Sequence, residues 1–385
     1  MSESSFDSSL SRLQNQYWGS PQLTRAAFDF RSDVVTTPSL SMLCAIARTT
    51  LNDDVYREDE TTINFEQEVA DLCNHEAAAF VVSGTMANQL ALRTLLWQPP
   101  YAILADASAH IVHWEAGGIS HFSGAMLQTV RPSNNVYLTL EDIQKSAVLS
   151  YDVHKCPTRV VSIENTSNGT VVPLEELRRI KDWATRAGIQ VHIDGARLWE
   201  AVAAGGGTLS EYAQCADLLT VDFSKGIGAP MGAMVIGSAE SIQRLRRIRK
   251  SIGGGMRQSG VLVAAARQAL LENFGMSQTD TRGILKQSHS LASAIGTLWT
   301  EKGGKLVRPV ETNIVWLNLR ASGVTDNEWT QAGHRHGIKL MGNRVVTHYQ
   351  ISDQALSALT SVILSVLTNQ KQGGTGGKND RTTKL

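Results

Sequence analysis

Hydrophobic and polar positions switch period repeatedly through the middle of this chain. Phe65, Val69, Leu72 and Cys73 fall at i, i+4, i+7 and i+8, which predicts a helix with one apolar face. AAAFVV (77–82) is an unbroken apolar run, suited to a strand buried on both sides. Ser83-Gly84 then reads as a turn, and TMANQLALRTLL as a helix. The pattern recurs lower down. RVVSIE (159–164) reads as a strand, Pro173 opens a helix carrying Leu174, Leu177, Ile180 and Ala184, and Gly188 closes it. Strands VHID (191–194), DLLTVD (217–222) and AMVIG (233–237) come next at close spacing. Such alternation implies an α/β fold, a mostly parallel sheet covered by helices on both faces. Beyond about residue 275 the pattern becomes a helical stretch, then KLVRPV, TNIVWLNL and a last helix near 353–368. The expected organisation is an N-terminal arm (1–27), a large α/β domain (28–274), a smaller C-terminal α+β domain (275–369) and a disordered Gly-rich tail (370–385).

Composition narrows the function classes. Lys plus Arg and Asp plus Glu each total 36, so the formal net charge is zero. That balance argues against a partner held by phosphate attraction, whether nucleic acid or an anionic membrane surface. The hydrophobic fraction of 42% supplies sizeable cores, yet no apolar run is long enough to span a bilayer. Cys44, Cys73, Cys156 and Cys215 show no CxxC spacing and read as reduced thiols of a cytoplasmic protein. The last three residues, Thr-Lys-Leu, resemble a peroxisomal address. The basic run RLRRIRK (244–250) reads as the solvated face of a helix.

Ligands of α/β sheets gather at the carboxyl ends of strands, and the residues just past each strand here are chemically specific. Ser83-Gly84-Thr85 opens a helix, whose free N–H groups suit a phosphate. His110 comes shortly after ILADA, Asp194 ends VHID and Lys225 comes after DLLTVDF. A phosphate cup, an aromatic histidine, an acid and a lysine are what pyridoxal 5′-phosphate requires: a Schiff-base amine, a partner for the pyridine nitrogen and a seat for the phosphate. His113 stands three residues after His110, but no further ligand at suitable spacing supports a metal.

FRSDVVTTPS (30–39), NDDVYREDETT (52–62), SGTMANQLAL (83–92), SAHIVHWEAGG (108–118), IENTSNGTVVPL (163–174), HIDGARLW (192–199), FSKGIGAPMGA (223–233) and GGGMRQSG (253–260) together resemble the L-threonine aldolase family. These are fold-type-I pyridoxal-phosphate enzymes of the beta-eliminating lyase group, and the spelling is similar to the fungal branch. The resemblance implies cleavage of L-threonine or L-allo-threonine to glycine and an aldehyde. It assigns the Schiff base to Lys225, the pyridine nitrogen to Asp194 and ring stacking to His110. Gly84 and Thr85 would hold the phosphate, with Arg257 from a neighbouring subunit and Lys250 nearby. Ser32, Arg197 and Arg344 would surround the substrate carboxylate. His154 would stand near the β-hydroxyl, with His110 or His154, or a water held by them, as the catalytic base that takes its proton, and Tyr56 would line the partner's site. Shared sites imply a homo-oligomer, and the family suggests a dimer of dimers.

Two positions depart from the family pattern. Ser167 stands where a histidine is common, and Arg57 where glycine is usual. A long cation at 57 would either intrude on the pocket or point to solvent. Fungal relatives of this type also include alanine racemases serving peptide natural products, so racemisation of alanine is the alternative activity.

Overall fold

The computed structural model describes residue 18 and residues 24–150, 152–275 and 283–373, the side chains of 369–373 excepted. Nine strands are formed among them: β1 (Ala77–Val81), β2 (Ala102–Asp106), β3 (Met126–Val130), β4 (Thr158–Glu164), β5 (Gln190–Gly195), β6 (Leu218–Asp222), β7 (Ala233–Gly237), β8 (Ile314–Trp316) and β9 (Arg344–Val346). The first seven make one sheet in the order β1-β7-β6-β5-β4-β2-β3. All neighbours are parallel except β7, which runs antiparallel to both β1 and β6. Strands β6 and β7 are buried at every position, as expected where helices cover both faces. The edge strand β3 is half exposed, and its sequence, MLQTV, lacks the apolar run that reveals the others.

The helices used below are α1 (Leu40–Ala47), α2 (Glu60–Leu72), α3 (Gly84–Leu95), α4 (Leu174–Ala187), α5 (Ala239–Ser251), α6 (Gly260–Asn273), α7 (Ile284–Glu301), α8 (Asp326–Arg335) and α9 (Asp353–Gly373). On one face of the sheet Phe65 and Val69 of α2, Leu177 and Ile180 of α4 and Val263 of α6 share a core with Phe223. On the other, Leu90 and Ala91 of α3 pack with Ile242 and Leu245 of α5. Local chemistry sets the helix ends. Ser83 caps α3 by accepting from the Met86 amide, Asp59 caps α2 through Thr62, and Gly188 ends α4 in the left-handed region at φ 67°.

A third apolar cluster joins Trp299 of α7, Trp329 of α8 and Val362 of α9 to Val315 and Val345 of the antiparallel β8–β9 pair. Its two indoles meet edge to face, 5.6 Å apart. Phe30, far away in sequence, completes this cluster. KLVRPV contributes no strand: Leu306 makes one isolated bridge to Leu317, and Pro309 removes the donor a ladder would need. Nor is RLRRIRK merely a solvated face. Arg249 on α5 is buried, donating to the Phe80 carbonyl at 2.6 Å and to Asp54 at 2.8 Å. Most of the expected arm, the tail beyond 373 and the terminal Thr-Lys-Leu lie outside the described residues.

Candidate active site

The carboxyl ends of β1, β2, β4, β5 and β6 converge on one cavity of about 290 Å³. Gly84, Thr85, His110, Asp194, Arg197, Lys225 and Arg344 all line it, although they lie up to 260 positions apart (344 − 84). Parallel strands bring their carboxyl ends to one edge, so residues just beyond each strand meet there.

Lys225 ends the turn after β6, and its Nζ lies 3.5 Å from Asp222 Oδ2. The other oxygen of Asp222 is occupied by the Ser224 amide at 2.8 Å and hydroxyl at 2.7 Å, which fixes the turn. Thr36 donates to the Lys225 carbonyl at 3.0 Å from a distant segment. Gly84 and Thr85 supply the first amides of α3, which have no partner within their own helix. A Cβ at Gly84 would stand 3.0 Å from Asp222 Oδ2, so any side chain here would press on the carboxylate beside Lys225.

Asp194 is buried and accepts from Asn88 Nδ2 at 2.7 Å and from the Ala196 amide at 3.0 Å. Asn88 Oδ1 accepts from the Thr220 hydroxyl at 3.0 Å. His110 Nδ1 lies 2.9 Å from Glu115 Oε1, a bond that raises the imidazole pKa above its ordinary value against the opposing effect of burial. Glu164, at the end of β4, accepts from the His110 backbone amide and is the cross-strand neighbour of Asp194. Withdrawal from water and the Asp194 charge push its carboxyl up to about 7.

Two arginines complete the cavity. Arg197 gives Nε and Nη2 to the fully buried Asp33 at 2.8 and 2.6 Å, a two-pronged pair that leaves Nη1 uncommitted to that carboxylate. Burial alone would raise Asp33, but the guanidinium outweighs it and holds the carboxyl far below its usual range. Asn313 Nδ2 also donates to Asp33, at 3.2 Å. Arg344 donates to the Arg31 carbonyl at 3.1 Å. Ser32 lies beside this pair, its hydroxyl 3.4 Å from Asp33 Oδ1, and caps a short turn rather than lining the cavity.

The remaining expected residues stand elsewhere in this chain. Tyr56, Lys250 and Arg257 are exposed and do not line the cavity. Arg257 is 3.9 Å from Asp53, and its carbonyl accepts the Asp54 amide. His154 is 87% exposed and bonds to nearby Asp152 at 2.9 Å. Ser167 turns its hydroxyl to the Val136 carbonyl at 2.7 Å. Arg57 follows neither expected course. Its backbone is left-handed at φ 63°, the conformation glycine favours, and its guanidinium folds back to Asp54 at 3.0 Å and Glu66 at 2.7 Å. Those carboxylates also hold Arg249 and Arg246.

A lysine amine, a fixed acid, an imidazole and open helix amides around one cleft fit pyridoxal phosphate, and a Cβ at Gly84 would crowd the Asp222 carboxylate at its edge. Among the described residues, no group of three or more His, Cys, Asp or Glu is placed to hold a metal ion. No described helix is long and apolar enough to cross a membrane.

The sequence profile of the family described as beta-eliminating lyase matches residues 29–322. Alanine racemase TOXG of Cochliobolus carbonum is 52% identical over 358 residues, covering 93% of this chain and 92% of its own. Aldolase vrtJ of Penicillium aethiopicum is 48% identical over 344 residues, 89% of this chain and 87% of its own. The low-specificity L-threonine aldolase of Eremothecium gossypii is 43% identical over 350 residues, 91% and 90% respectively. Among solved structures, the threonine aldolase of Leishmania major superposes with a TM-score of 0.75 at 20% identity. That superposition covers 88% of this chain and 99% of the other, a likeness of fold.

Proposed function

We propose that this chain, which belongs to the beta-eliminating lyase family, is a pyridoxal-phosphate lyase cleaving Cα–Cβ of L-threonine, L-allo-threonine and related β-hydroxy-α-amino acids. Glycine and an aldehyde are the products. The observation that carries this reading is the convergence of Lys225, Asp194, His110, Arg197 and Arg344 on one cavity. When bound, pyridoxal phosphate supplies an electron sink for the pair left on Cα.

Lys225 would hold the cofactor through its amine, Asp194 would face the ring nitrogen, His110 would lie against the ring, and Gly84 and Thr85 would receive the phosphate. Asn88 keeps the Asp194 carboxylate aimed, and an anion there favours a protonated ring nitrogen. Arg344 and the free edge of Arg197 grip the substrate carboxylate, with Ser32 nearby. Fixing the carboxylate fixes which bond at Cα is set to break. His110 takes the β-hydroxyl proton at Nε2, because Nδ1 is committed to Glu115.

Tyr56, Lys250 and Arg257 are exposed on their own chain, which supports their serving the site of a second copy. We assign the working unit as a homo-oligomer, a dimer of dimers, in the cytoplasm. The balanced charge supports a small-molecule partner rather than a nucleic acid or a membrane.

Alanine racemisation is the second reading, favoured by the 52% identity to TOXG. His154 and Ser167 bring no second imidazole to the cavity, so hydroxyl chemistry rests on His110. Incubation with L-threonine, L-allo-threonine, L-serine and L-alanine separates the two. Glycine with acetaldehyde supports the lyase, and D-alanine without acetaldehyde overturns it.

A further inference from the structure

Glu115 does not line the cavity, yet it is tied by hydrogen bonds to two residues that do. It is 5% exposed and lies just beyond the short turn that starts at His110. Oε1 meets His110 Nδ1 at 2.9 Å and Asn88 Nδ2 at 2.9 Å, while Oε2 accepts from Gln89 Nε2. The same Asn88 amide nitrogen reaches Asp194 Oδ2 at 2.7 Å, and its carbonyl is held by Thr220. Asn88, Gln89 and Thr220 are all buried. A continuous chain of hydrogen bonds therefore runs from His110 through Glu115 and Asn88 to Asp194.

We propose that Glu115 is a positioning residue that fixes the tautomer and ring orientation of His110, with Asn88 as the joint locking that histidine to Asp194. A carboxylate accepts and never donates when ionised, so Nδ1 must carry the proton and Nε2 is the nitrogen left for substrate. Asn88 and Gln89 spend donors on the same carboxylate, which keeps it from rotating away. The two side chains expected to contact opposite parts of the cofactor ring thus move as one unit. Charged groups around His110 are Glu115, Glu164 against its backbone amide, Asp194 and Lys225. Glu115 and Asp194 favour the imidazolium, and burial and Lys225 oppose it. Removing the Glu115 charge therefore lowers the pH at which His110 becomes neutral.

The test compares the holoenzyme with Glu115→Gln and Glu115→Ala. Gln89 Oε1 has no hydrogen-bond partner, so a flip of the Gln89 amide gives the new glutamine N–H an acceptor, while His110 and Asn88 keep the oxygen they already bond. Imidazole nitrogen shifts in NMR report the His110 tautomer and its titration directly. The wild type should show the Nδ1–H tautomer; Glu115→Gln should keep it but titrate at lower pH; Glu115→Ala should lose it. In threonine cleavage, which rests on the lyase reading, the acidic limb of the kcat profile should shift to lower pH in Glu115→Gln. Its kcat should fall about 10- to 100-fold with KM little changed. Wild-type tautomer and titration in both variants would overturn the positioning role. Altered tautomers in a protein that never cleaves threonine would leave that role standing and sink the lyase reading.

Discussion

Replacing Asp33 with Asn breaks the two-pronged contact that organises the carboxylate end of the cavity. Asp33 is fully buried, and the Arg197 side chain is 19% exposed, so little solvent screens their attraction. Removing one member of such a pair strands the other charge, at a cost of about 3–5 kcal/mol. Arg197 also feels Glu200 and Asp222, which partly compensates, so about 3 kcal/mol is expected. Urea unfolding of the cofactor-free protein, followed by tryptophan fluorescence, measures it. The sign with pH comes from the depressed Asp33 carboxyl. Its contribution is present above the ordinary carboxylate pKa and is lost as pH falls. The gap between wild type and Asp33→Asn should therefore be full at neutral pH and narrow progressively as the pH falls below about 4. Arg197→Met and the double variant complete a cycle with a coupling energy of about 2 kcal/mol. A loss under about 0.5 kcal/mol for Asp33→Asn, or strict additivity in the cycle, would refute the reasoning.

Arg57→Gly should be more stable than Arg57→Ala by about 1 kcal/mol, because only glycine relaxes the left-handed backbone at φ 63°. Both variants lose the same two ion pairs, while Asp54 and Glu66 keep Arg249 and Arg246. Equal midpoints in urea would count against strain at this residue. Lys225→Ala should abolish turnover and remove the visible absorbance band that the cofactor gives when joined to a lysine. An unchanged band would place the cofactor on another amine.

Residues at the carboxyl end of a strand or within a few residues past it are legible in sequence because the end of a strand is itself the signal. Lys225, Asp194, His110 and the Gly84–Thr85 turn are of this kind. The groups that orient them are not. Asn88 lies inside an apolar helical stretch, where two adjacent buried polar residues, Asn88 and Gln89, are the available clue. Glu115 and Glu164 are hidden within motifs whose neighbours carry the recognisable chemistry. Asp33 pairs with a residue 164 positions away, a contact no local pattern encodes. Sequence offers Arg57 two courses, into the pocket or out to solvent, and its actual course depends on Glu66 turning inward from α2. The expectation for His154 rests on resemblance alone, and this chain carries it on an exposed turn. In the fold, apolar runs mark the central strands, while half-exposed β3 has no such mark.

Offering one preparation of holoenzyme L-threonine and L-alanine in parallel, in heavy water, tests the function most directly. Glycine and acetaldehyde should appear from threonine at a rate far above any inversion of alanine. Rapid conversion of L-alanine to deuterated D-alanine, with threonine left intact, would contradict the lyase and establish racemisation instead.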